Sequence, residues 1–149
     1  MIHLETITHS FLETKKLGFW LGQKLTPRTD KTIILLQGTL GSGKTAFAKG
    51  LISSLGVKQI VNSPTFVIVK TYFTSLRNIY HLDLYRATLE CEFLEELLEN
   101  FVKPDFLIVE FLKDCSNYFP DFDVLVKINS LNEKKRQIII QQKAKINNI

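Results

Sequence analysis

Apolar residues recur along this chain with two periods, and the periods divide it into helices and strands. Ser10-Phe11-Leu12-Glu13 has the S-x-x-E spacing of a capping box, and Leu17, Trp20, Leu21 and Leu25 follow at helical intervals until Pro27, predicting a helix over about 10–25. Thr32 to Gln37 is almost wholly apolar, which suits a strand buried on both faces in a mainly parallel sheet. Gly38 ends it. From Lys44 to Leu55 the apolar residues Phe47, Ala48, Leu51, Ile52 and Leu55 share one helical face, and Gly56 stands where a C-terminal cap is expected. Phe66 to Tyr72 and Asn78 to Leu84 are rich in β-formers and separated by a short polar stretch, so they predict an antiparallel hairpin.

Thr88 to Asn100 predicts a helix with Leu89, Phe93, Leu94, Leu97 and Leu98 on its buried side and Glu90, Glu92, Glu95, Glu96 and Glu99 around the rest. Such a face is either solvated or an acidic docking surface. After Lys103-Pro104-Asp105, the run Phe106 to Val109 reads as a second central strand ending in Glu110 and Phe111. Phe122, Val124, Val126 and Ile128 alternate, and Asn129 to Lys135 turns the chain into Arg136 to Gln141, predicting a C-terminal hairpin on the sheet edge. No internal repeat, low-complexity segment or linker interrupts residues 1–149, which predict a single domain.

Composition narrows the class of protein. A chain of 149 residues that is 45% hydrophobic can build a core without disulfides or metals and is not mainly disordered. The net charge of +4 is unevenly spread: residues 1–60 carry eight basic and three acidic groups, 61–100 three and six, and the remainder eight and six. The acidic middle breaks any continuous basic stripe, so charge does not identify a nucleic-acid binder. Cys91 and Cys115 have no Cys or His at ligand spacing and read as reduced structural thiols. The apolar runs are far shorter than the ~20 residues that span a bilayer. Met1 to Glu5 has no secretory pattern, so the expectation is a cytoplasmic protein without membrane contact. His3, His9 and His81 are scattered, so no zinc site is expected.

Gly38-Thr39-Leu40-Gly41-Ser42-Gly43-Lys44-Thr45 matches G-x-x-x-x-G-K-[ST] between an apolar strand and a helix. In that setting the glycines let successive N–H groups point into one concavity, and the helix N-terminus favours phosphate oxygens. Lys44 suits the β- and γ-phosphates, and the Thr45 hydroxyl suits Mg²⁺. A metal partner is sought at the end of a neighbouring apolar strand, where Asp83 and Glu110 both qualify. His81, two residues from Asp83, shares its side of a strand and either supports the metal site or is a structural histidine. No Asn-Lys-x-Asp motif appears, which favours ATP over GTP. The predicted fold is α/β, a P-loop NTPase-like three-layer arrangement whose mixed, mainly parallel sheet carries antiparallel hairpins and helices on both faces.

Four blocks together resemble the TsaE (YjeE-like) family of small bacterial P-loop ATPases: the loop above, Asn62-Ser63-Pro64-Thr65-Phe66, His81-Leu82-Asp83-Leu84-Tyr85-Arg86, and Leu107-Ile108-Val109-Glu110-Phe111. The first block is shared by many NTPases; the second and third are far more specific. The resemblance implies ATP and Mg²⁺ as ligands, with Lys44, Asp83 and Glu110 catalytic and Thr45, Glu110 and Asp83 at the metal. It also implies nucleotide contacts from Ser10, near the adenine, and from Gly41, Ser42, Gly43, Lys44, Thr45, Ala46, Phe111 and Arg136. Ser63-Pro64-Thr65 is implied to be a switch-like loop in which Thr65 senses the γ-phosphate. For Arg136 a solvated Lys134-Lys135-Arg136 turn is the competing reading.

Three positions depart from the family pattern: Thr39 replaces an Asp, Phe111 a Trp and Phe66 a Tyr. The last two keep an aromatic ring, whereas Thr39 removes a carboxylate from the nucleotide site. By the same resemblance, the partners are TsaB- and TsaD-like proteins, and TsaD transfers threonylcarbamoyl to adenosine 37 of tRNAs reading ANN codons. This chain then acts as a nucleotide-gated regulator that meets tRNA indirectly. Two other readings stand beside it. A small-molecule kinase has against it the presence of just Arg28, Arg77, Arg86 and Arg136 and no long lid insertion. A non-hydrolysing nucleotide-binding adaptor has Thr39 in its favour.

Overall fold

The almost wholly apolar run at Thr32–Gly38 forms β2, and its burial on both faces sets the plan of the molecule. The computed structural model describes residues 2–39, 41–61, 69–84, 91–112 and 116–144. In chain order these form β1 (His3–Thr8), α1 (Phe11–Leu25), β2, α2 (Lys44–Ser54), β3 (Val69–Phe73), β4 (Asn78–Asp83), α3 (Cys91–Asn100), β5 (Phe106–Phe111), β6 (Val124–Ser130) and β7 (Arg136–Gln142). The sheet has seven strands in the order β1-β7-β6-β2-β5-β4-β3. β6, β2, β5 and β4 run parallel at its centre, while β3, β7 and β1 pair antiparallel outside them.

Side-chain alternation sends the two faces of β2 and β5 into separate cores. Ile34, Leu36 and Ile108 join Leu21, Phe47, Leu51 and Ile52 beneath α1 and α2. Ile33, Leu35, Leu107 and Val109 join Leu94, Leu97 and Phe101 beneath α3. The result is the predicted three-layer α/β arrangement. On α3, Glu95, Glu96 and Glu99 face solvent, while Leu94 and Leu97 are buried as the helical period requires. No helix among the described residues is long and apolar enough to cross a membrane.

At the end of the sheet away from the glycine loop, buried charges are tied to backbone. Arg28 donates to Asp123 at 2.7 Å, and the other Asp123 oxygen accepts from the Ile33 N–H at 2.9 Å. Arg77 lies over the Phe106 ring at 4.5 Å and donates to the Thr26 carbonyl at 2.9 Å. These contacts join the entries to β2, β4, β5 and β6.

One topological expectation is corrected. The C-terminal hairpin is not at the sheet edge: β6 pairs with β2, β7 lies between β6 and β1, and the N-terminal β1 forms the edge. Six residues of alternating half-exposed Leu4 and Thr6 with exposed neighbours carry little apolar signal, so pairing with β7 rather than propensity makes β1 a strand. The expected starts at Phe66 and Thr88 fall in part outside the described residues, as do the Ser63-Pro64-Thr65 loop, Tyr85, Arg86 and Cys115. The side chain of Cys91 also lies outside them.

Candidate functional site

Parallel strands deliver their carboxyl ends to one side of the sheet, and here the chemistry-bearing residues gather there. Between β2 and α2 the chain turns through Gly41 with φ 74° and Gly43 with φ 104°. Side chains other than glycine's are strained in that region, so both positions need glycine to bend the loop over the start of α2. Gly43 is the N-cap of α2 and offers no side-chain cap, which leaves the first N–H groups of the helix to an external acceptor.

Lys44, the first residue of α2, is 9% exposed. Its Nζ donates to the carbonyls of Gly38 and of Thr39, the latter at 3.0 Å. Burial pulls its pKa below the ordinary lysine value, and the nearby carboxylates of Glu110 and Asp83 oppose that shift without cancelling it. Asp83 and Glu110 are register partners on the adjacent parallel strands β4 and β5, so both project from the same face. Thr45 Oγ1 lies 3.5 Å from Glu110 Oε1. A hydroxyl and two carboxylates are hard oxygen donors, the kind of set that accepts Mg²⁺ while leaving room for water and phosphate.

These residues line a cavity of about 640 Å³ together with His9, Ser10, Phe11, Thr14, Thr39, Gly41, Ser42, Gly43, Ala46, Glu133, Lys134 and Arg136. Arg136, first in β7, donates to the Gly41 carbonyl at 3.2 Å and to the carbonyls of Asn132 and Lys135 at 2.6 and 3.0 Å. It therefore clasps the loop from the β6–β7 turn, while Lys134 and Lys135 remain exposed. On the opposite wall Ser10 caps α1 by accepting from the Glu13 N–H at 3.1 Å. The capping box is displaced by one residue: the Glu13 carboxylate accepts from the His9 N–H at 2.6 Å.

That backbone hydrogen bond from His9 holds the Glu13 carboxyl below its ordinary 4.5. A depressed carboxyl pKa contributes stability above the unfolded value and loses it as pH falls. Wild type should therefore exceed Glu13→Gln in melting temperature at neutral pH, and the difference should close as pH drops below 4.5. A difference independent of pH would remove the ionised carboxylate from the cap.

Of the residues expected at the site, Ser10, Gly41, Ser42, Gly43, Lys44, Thr45, Ala46, Asp83, Glu110 and Arg136 line one cavity. Phe111 does not. It follows Glu110 on β5, so alternation turns it into the core beneath α3, where it is 2% exposed. Thr65 lies outside the described residues. Phe11, Thr14 and Glu133 escaped the sequence reading. Phe11 is an exposed aromatic off the buried stripe of α1, a weak signal, and the other two had none.

The model of a family described as threonylcarbamoyl adenosine biosynthesis protein TsaE matches residues 8–138. Relatives named tRNA threonylcarbamoyladenosine biosynthesis protein TsaE include one from Aquifex aeolicus, 35% identical over 93% of this chain and 96% of its own length. One from Treponema pallidum is 29% identical over 92% of this chain and 99% of its own, and one from Bacillus subtilis is 37% identical over 71% and 66%. Among solved structures, Bacillus subtilis YdiB has the same fold, with a TM-score of 0.65 at 22% identity over 95% of this chain and 87% of that one.

Proposed function

This chain belongs to the TsaE family, and on that basis we propose that it binds Mg·ATP and hydrolyses it as a nucleotide-gated regulator in forming threonylcarbamoyladenosine at adenosine 37 of tRNAs reading ANN codons. The observation that carries this reading is the convergence of Lys44, Thr45, Asp83 and Glu110 on one cavity at the carboxyl ends of parallel strands. Its volume lies within the roughly 300–1,000 Å³ of small-ligand sites.

The uncapped start of α2 and the loop N–H groups receive the phosphates, and Lys44 exchanges loop carbonyls for phosphate oxygens. Thr45 and Glu110 would hold Mg²⁺, with Asp83 beside it, and the ion would supply charge neutralisation at the β- and γ-phosphates. Asp83, on the cavity wall, orients the water that attacks the γ-phosphorus, and the bond to the β–γ bridging oxygen breaks to leave ADP and phosphate. TsaB- and TsaD-like proteins are the proposed partners, with the transfer itself made by the latter. The exposed Glu95, Glu96 and Glu99 of α3 offer them an acidic face. Thr39 favours a second reading, a nucleotide-binding adaptor that does not hydrolyse, because a hydroxyl stands there without the carboxylate usual in the family.

Reconstitution with the two partners and tRNA tests this. Repeated rounds of modification should require the chain and ATP, and Glu110→Ala should bind ATP yet fail to sustain repeated rounds. Equal modification without the chain overturns the pathway assignment; full activity of Glu110→Ala leaves the adaptor reading.

A further inference from the structure

His81 is fully buried on β4, two residues before Asp83 and on the same face. Its register partner on β5 is Ile108, so the imidazole must reach along the sheet to meet Glu110. It does so at 2.5 Å, Nε2 to Oε2, with side-chain exposures of 0% and 3%. The other ring nitrogen, Nδ1, is buried without a hydrogen-bond partner among the described residues. A proton on Nδ1 would be a donor with no acceptor among the described residues, so the neutral ring carries its proton on Nε2 and donates it to Glu110.

The two oxygens of Glu110 thereby acquire different duties. Oε2 is tied to the core, and Oε1 is the one that meets Thr45 Oγ1 at 3.5 Å on the cavity wall. A glutamate has three side-chain torsions, and nothing in β5 selects the one that presents Oε1 to the cavity. An apolar residue of the same volume at position 81 would fill the space and leave Oε2 a buried charge without a donor.

We infer that His81 is a positioning residue for divalent-cation binding: by donating to Oε2 it locks the Glu110 carboxylate so that Oε1 is presented beside Thr45. This rests on the reading of Glu110 as a metal-site carboxylate. Partners that orient a ligating carboxylate typically matter about 10- to 100-fold to metal affinity.

The test uses the full chain with a fluorescent ADP, titrated with Mg²⁺ and measured again in EDTA. His81→Met keeps the volume and removes the donor; it should raise half-saturating Mg²⁺ about tenfold and leave ADP affinity in EDTA unchanged. His81→Gln, whose amide reaches Oε2, should restore most of the loss. In a Glu110→Ala background His81→Met should add nothing, because a residue acting through Glu110 has nothing left to act on.

An unshifted Mg²⁺ requirement in His81→Met, with Glu110→Ala impaired, overturns the inference alone. The same holds for an equal shift in both backgrounds, which marks a structural role. A Glu110→Ala variant with normal Mg²⁺ dependence overturns the premise and the inference together. Should His81→Met fold poorly, His81→Gln against the shorter His81→Asn makes the comparison, and equal behaviour of the two overturns the inference.

Discussion

Lys44→Ala should lower ATP affinity by about 10- to 100-fold, the worth of a hydrogen bond to a charged group at roughly 1.5–3 kcal/mol. Calorimetric titration with ATP and Mg²⁺ reads it, and unchanged affinity would remove Lys44 from the site. The same residue makes an opposite prediction for stability. Its pKa is lowered because burial outweighs the attraction of Glu110 and Asp83, so the folded protein binds the Lys44 proton less tightly than the unfolded chain does. That penalty is fully present below the lowered value and is relieved as pH rises from it toward the ordinary 10.5. The neutral, similarly sized Lys44→Met should therefore melt no lower than wild type without nucleotide while binding ATP poorly. A marked fall in its melting temperature would mean that the loop carbonyls of Gly38 and Thr39 depend on the ammonium for their geometry.

Gly50→Ala is the substitution with the largest expected cost to folding. Gly50 lies where α2 crosses α1, and a Cβ there would overlap the Lys15 carbonyl oxygen and stand 2.8 Å from its carbon and 2.9 Å from the Phe19 nitrogen. All three atoms are backbone, so no side chain can turn aside and α1 itself must move. From the other helix, a Cβ on Gly18 would overlap the Phe47 carbonyl oxygen. Alanine's helix propensity returns about 1 kcal/mol. Overpacking of about 1–3 kcal/mol, or more against rigid backbone, outweighs it. Thermal melting should fall by several degrees, at about 2–4 °C per kcal/mol for a chain of this size. Because Ser10 caps α1, Phe11 opens it and α2 carries Lys44 and Thr45, separating the helices should also widen the cavity and weaken nucleotide binding. Gly18→Ala combined with Gly50→Ala should cost less than the sum, since the first already parts the helices. Gly50→Ala melting at or above wild type would show that α1 shifts freely.

The parts of the site that could be read from the chain are those whose chemistry is local. Gly41, Gly43, Lys44 and Thr45 lie within five consecutive residues, and a strand before them and a helix after them suffice to predict a phosphate-binding loop. Asp83 and Glu110 were legible because each ends an apolar strand, where parallel topology puts the functional edge. Phe111 is different, because its nucleotide contact was implied by the family resemblance and not by its position on the strand. A strand reverses its side chains at every residue, so Phe111 faces α3 while its neighbour Glu110 faces the cavity.

Contacts between distant segments have no such local mark. The pairing of β1 with β7, the reach of Arg136 to the Gly41 carbonyl, the bond from His81 to Glu110 and the Gly18–Gly50 crossing join residues 29 to 138 positions apart, or cross two helices at backbone distance. Periodicity reports which face of an element is apolar, and so it establishes the elements other than β1 and their buried sides, while the glycine motif marks the candidate phosphate loop. It does not report which element lies opposite, how closely, or which rotamer a neighbour enforces. Those follow from packing seven strands between helices, where the burial of Glu110, Lys44 and His81 turns ordinary side chains into a site.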